Sequence, residues 1–144
     1  IEDDVRALAG ELLAMGVAVV MLKLGSQGAY LRVTSDTRRL AACGCLAETA
    51  CERWAGAEFY APCFDAKVAG TTGSGDCTVA GLLAGVAKGL GPAECVRSAV
   101  AVGSASVEQP DATSGVPAWL ELDARLRAGW GREKPKVAFR APWA

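Results

Sequence analysis

The sequence has no histidine, and that one absence removes several chemistries. A Ser-His-Asp triad needs an imidazole to accept the serine proton. Ser74 therefore belongs to no such triad, and it sits in no Gly-x-Ser-x-Gly elbow either. Zinc sites of mixed Cys and His ligands are lost with it. The six cysteines, at 43, 45, 51, 63, 77 and 95, form no paired Cys-x-x-Cys pattern. Cys43, Cys45, Cys51 and Cys63 lie near enough in sequence to hold a metal in principle, but ordinary free thiols are the better reading. Cys77 and Cys95 fall among small apolar residues of expected helices, where reduced cytosolic thiols pack as small hydrophobes.

An excess of either charge is lacking too: 15 Lys and Arg stand against 16 Asp and Glu, without a basic block. Nucleic acid is not expected as a partner. No apolar run approaches a membrane span, the longest being Val17 to Leu22, and there is no signal-peptide pattern. The expectation is a cytoplasmic protein without a membrane partner. The chain opens Ile1-Glu2-Asp3-Asp4 rather than on Met and enters a helical pattern at once, which suggests a piece of a longer protein.

What is present is enough for a packed domain: 144 residues, 51% of them apolar. Val5, Leu8, Ala9, Leu12 and Leu13 recur at helical spacing over Asp3 to Met15, and Gly16 ends that helix. Val17 to Leu22 reads as a strand buried on both faces in a parallel sheet. Lys23-Leu24-Gly25-Ser26-Gln27-Gly28 is a glycine-punctuated turn, and Ala29 to Val33 a second strand. Residues 34–57 show no clear period and read as a surface excursion. Phe59 to Val68 is extended, with Pro62 pointing to an edge strand. Helices are expected over Asp76 to Leu90, Pro92 to Val107 and Pro117 to Arg127. The alternation argues an α/β fold. The stretch 129–144 is expected on the surface or partly disordered. Trp54, Trp119, Trp130 and Trp143 share no period and are expected to pack rather than bind a ligand.

The most informative segment is Gly70-Thr71-Thr72-Gly73-Ser74-Gly75-Asp76, between extended chain and helix. Its glycines let backbone amides approach a ligand. With the positive end of the next helix, those amides suit phosphate. Asp76 is placed either to cap the helix or to take a proton from a hydroxyl attacking a phosphoryl group. Neither the Gly-x-x-x-x-Gly-Lys-Ser/Thr phosphate loop nor the Gly-x-Gly-x-x-Gly dinucleotide fingerprint is present. In the following helix Gly81, Gly85 and Gly89 recur every four residues. That ridge makes sense only if another element passes close by.

Thr71-Thr72-Gly73-Ser74-Gly75-Asp76, followed by Ala80-Gly81, resembles the C-terminal signature of the ribokinase-like (phosphofructokinase-B type) carbohydrate kinases. Two weaker features fall in the same order. Lys23 to Gly28 is similar to that family's turn against the nucleotide, and Val107 to Pro117 to its loop over adenine. The resemblance covers about residues 1–128. It implies the C-terminal part of a three-layer α/β/α fold with a mostly parallel sheet, carrying the nucleotide-binding and catalytic half of the domain. It further implies Asp76 as general base, an anion hole at Gly73, Ser74 and Gly75, and nucleotide contacts from Lys23, Gly25, Ser26, Gly28 and Thr72. Lys23 reads equally well as a solvated strand-end lysine.

Two positions depart from the family pattern. Gly70 stands where many relatives carry an aspartate beside a monovalent cation, and Asp111 where they often carry glycine. Asp111 is thus either a relocated cation ligand, with potassium as the ion, or a solvated turn residue. The implied activity is transfer of the ATP γ-phosphoryl group to a sugar-like hydroxyl with magnesium. A nucleoside kinase and a non-catalytic nucleotide- or sugar-sensing domain are the alternatives. The missing N-terminal half would supply the acceptor contacts and the lid, and through the lid a homodimer contact.

Overall fold

A computed structural model describes residues 1–136 and 138–144; Val137, within the tail expectation, lies outside the described residues. In chain order the elements are α1 (Glu2–Ala14), β1 (Val19–Lys23), a 3-10 turn (Gly25–Gln27), β2 (Ala29–Val33), α2 (Thr37–Ala42) and α3 (Glu48–Trp54). Then come β3 (Glu58–Ala61), α4 (Ser74–Ala87), α5 (Pro92–Ser106) and α6 (Trp119–Arg127).

The three strands form one sheet in the order β1-β2-β3, and both pairings are antiparallel. The expected parallel pairing is therefore corrected for these strands. Only Leu24 to Gly28 separates β1 from β2, and a link that short makes a hairpin, whereas parallel neighbours need a crossover of a dozen or more residues. Nor is β1 buried on both faces: among Val19 to Lys23 only Val20 is buried. Gly28 closes the hairpin with φ 96°, in contact range of the Ala61 carbonyl, so a side chain fits there neither conformationally nor sterically.

Alternate residues divide between two cores, as the pleat requires. Val20, Tyr30 and Tyr60 join Ala9 of α1 on one face. Ala29, Leu31, Val33 and Ala61 face the other way, against Val96 and Val100 of α5 and Trp54 of α3. Helices thus cover both sides of the sheet. The region 34–57 contains two short helices, the first begun by Asp36, whose side chain accepts from Arg38 N and Arg39 N. Residues of the 129–144 stretch, expected at the surface or disordered, add to the smaller core: Phe139 stacks on Tyr60 at 4.1 Å and Ala141 is buried. Tyr60 N donates to Pro142 O, and Ala144 N to Tyr60 O.

The glycine ridge of α4 meets α5. A methyl added at Gly81 would stand 2.8 Å from Ala99 Cα, and one at Gly85 3.0 Å from Cys95 Sγ. Facing them, Gly103 of α5 leaves room for Thr78. Alanine at 81 would gain about 1 kcal/mol of helix propensity but lose about 1–3 kcal/mol to overpacking against backbone that cannot swing away. Gly81→Ala is therefore expected to lower the urea midpoint of unfolding. An unchanged or higher midpoint would show that the two helices separate freely.

Candidate functional site

The β1–β2 turn and the start of α4 face one cleft of about 450 Å³. Lys23, Gly25, Ser26 and Gly28 come from the turn, and Thr71, Ser74, Gly75 and Thr78 from the glycine-rich segment and helix. Val68, Val100 and Val107 make much of the remaining wall apolar, and Phe64, Cys63 and Glu133 also line it.

Helix α4 starts in an unusual way. Its N-cap is Gly73 in the left-handed region (φ 72°, ψ −4°), with no side-chain cap hydrogen bond. A methyl there would approach Ala112 Cβ to 2.8 Å. Glycine is thus required both by backbone angle and by space. Ser74 N donates to Thr71 O at 3.2 Å, but no capping side chain covers the amides that follow it in the first turn, which have no intrahelical partners. Lys23 Nζ lies against the same turn, 2.5 Å from where a Cβ on Gly75 would be. An ammonium beside the positive end of a helix is a repulsive arrangement on its own. An anion held between the two reverses the sign of that interaction, which is why the site suits phosphate.

The residues singled out in the sequence divide accordingly. Lys23, Gly25, Ser26, Gly28, Ser74 and Gly75 share the cleft. Gly73 shapes the helix start from outside the lining. Thr72 and Asp76 are exposed and are not among the lining residues; Asp76 is the third residue of α4. Asp111 is also exposed and off the cleft. Its carboxylate is folded into its own turn, accepting from Thr113 N at 2.9 Å, Ser114 N at 2.7 Å and the Ser114 hydroxyl.

At Gly70 the chain passes against the next loop. Ala69 N and Gly70 N both donate to Val107 O, and a Cβ at 70 would lie 2.8 Å from Pro110 O. An aspartate there would have to displace the loop carrying Asp111. Cys63, Phe64, Val100, Ser104 and Glu133 were missed as cleft residues. They enter through long-range pairing, such as Phe64 N to Ser104 Oγ at 3.1 Å, and carry no local motif. Burial is the main cause pushing the Cys63 thiol up from its ordinary value, with Glu133 adding to it.

With the geometry in hand, relatives can be placed beside it. Residues 1–119 match the pfkB family carbohydrate kinases, and the chain belongs to that family. It is 29% identical over 115 residues to a protein of Archaeoglobus fulgidus described as an uncharacterized sugar kinase, covering 80% of this chain and 38% of the relative. The ribokinase of Thermotoga maritima superposes with a TM-score of 0.62 at 26% identity, covering 83% of this chain and 33% of that one. The aminoimidazole riboside kinase of Salmonella enterica, solved with aminoimidazole riboside and an ATP analog, gives 0.58 at 26% identity over 81% and 34%. The chain therefore has a ribokinase-type α/β fold and spans about a third of the length of these relatives.

The hydroxyl of Ser114, then the amides of Ser114 and Thr113, hold the Asp111 carboxyl down to about 2, from an ordinary 3.8. A depressed carboxylate contributes stability above its unfolded value and loses it as pH falls through the folded one. The 111–114 turn is thus expected to loosen only as pH drops from 3.8 toward about 2. A carboxyl-carbon NMR titration of Asp111 reads this directly, and a midpoint at or above 3.8 would mean the turn does not hold the anion.

Proposed function

We propose that the protein transfers the γ-phosphoryl group of ATP to a hydroxyl of a sugar or sugar-like molecule. The observation that carries this reading is the convergence of Lys23 Nζ on the uncapped, glycine-started turn of α4 inside an apolar-walled cleft. The cleft takes the nucleotide, its apolar part suiting a base and its Lys23 end the phosphates. The amides from Thr72 to Gly75 form the hole in which charge on the transferring group is stabilised. Such transfers run in line, with attacking and leaving oxygens on opposite sides of phosphorus. Asp76 lies off the nucleotide cleft, as a base serving the opposite side must, and there it accepts the acceptor's proton.

Magnesium arriving with ATP would offset the charge of the phosphates. Among the described residues no three His, Cys, Asp or Glu gather into a ligand set. Asp111 is read here as the anchor of its turn, since its oxygens already serve Thr113 and Ser114; a potassium ion at Asp111 would have to compete with them.

The acceptor contacts belong to the part of the protein beyond this chain, as does any homodimer contact. The riboside and ATP analog named for the Salmonella enterica relative favour ribose-containing acceptors, nucleosides among them. Asp76→Asn in the whole protein is expected to lower turnover by roughly 10²–10⁴-fold while ATP still binds. Near-normal turnover would remove Asp76 as base. ATP binding without phosphorylation of any sugar or nucleoside would instead mark a sensing domain.

A further inference from the structure

The family match ends at residue 119, yet Glu133 lines the cleft, held there by the pairing of its neighbours. Phe64 and Arg132 form an antiparallel bridge, with Asp65 N donating to Gly131 O and Glu133 N to Cys63 O, each at 2.9 Å. Trp130 stacks on Phe64 at 4.7 Å and donates through Nε1 to Asp65 O. Lys136 N donates to Gln27 Oε1 at 2.7 Å, so the segment also grips the nucleotide-facing turn.

This segment brings Glu133 into the lining beside Cys63. Lys23 is paired across the sheet with Ala29, and Ala29 with Ala61. Two strand spacings put Ala61 roughly 10 Å from Lys23, and Glu133 is hydrogen-bonded to Cys63, two residues farther on. A carboxylate there cannot favour phosphate, but it is exposed in the cleft and accepts hydrogen bonds only. Resting on the nucleotide reading above, we propose that Glu133 is a specificity-determining residue. It accepts a hydrogen bond from a donor on the nucleoside half of the nucleotide, a ribose hydroxyl or an exocyclic amine.

Calorimetric titration of the whole protein with ATP, 2′-deoxy-ATP, purine riboside triphosphate (which lacks the amine) and inorganic tripolyphosphate tests this. Glu133→Ala is expected to weaken ATP binding about tenfold, as for loss of one charge-assisted hydrogen bond. Tripolyphosphate should bind the variant as well as, or better than, the parent, and Glu133→Gln should recover part of the loss. If the variant's deficit vanishes with 2′-deoxy-ATP, the donor is the 2′-hydroxyl; if with purine riboside triphosphate, the amine. Undiminished ATP affinity in Glu133→Ala, or an equal loss for tripolyphosphate, overturns the inference and leaves the kinase reading standing. Failure of the parent protein to bind ATP at all overturns both.

Discussion

Helices α4 and α5 approach so closely that a single methyl at Gly81 would enter the backbone of α5, and this contact fixes where α4 begins. The ridge of Gly81 and Gly85 brings α4 onto the helix that itself covers the sheet through Val96 and Val100. The opening turn of α4 is thereby held beside the end of β1, where Lys23 emerges. Interiors packed at this density transmit displacement rather than absorb it. Glycine in mid-helix costs propensity, and here it brings together the two halves of the proposed anion site, which come from elements some fifty residues apart.

The electrostatics follow from that placement. A helix started by left-handed Gly73 has no side chain to occupy its own amides, and the nearest cation adds to the positive field instead of relieving it. The cleft is therefore organised around a charge that the chain does not itself provide. Its other end is apolar, with one carboxylate, Glu133, brought in by the tail. That polarity, cationic at one end and apolar at the other, matches a nucleotide lying along the cleft.

Much of this was legible in the sequence. The run Ala29 to Val33 was bounded by Gly28 and a polar stretch and was observed as a strand with those limits. Helices α4 and α5 were marked by the glycine turn and by Pro92, and the signature from Thr71 to Asp76 led to the family that residues 1–119 match. Strand direction was legible only in the shortness of the Leu24 to Gly28 link, because an apolar run such as Val17 to Leu22 does not encode the orientation of its neighbour. The helices of residues 37–42 and 48–54 are too short to display a period. Glu133 escaped notice because its place in the cleft depends on pairing with Cys63, seventy residues earlier in the chain.

The central claim is that the uncapped amides of α4 receive the nucleotide's phosphates. Residue-resolved amide hydrogen exchange of the whole protein, with and without a saturating non-hydrolysable ATP analogue, tests it most directly. The account predicts slowed exchange at Gly75 and Asp76 when the nucleotide is bound, with the exposed loop around Cys43 to Cys45 unaffected. Unchanged exchange at those two amides under saturating nucleotide would contradict it.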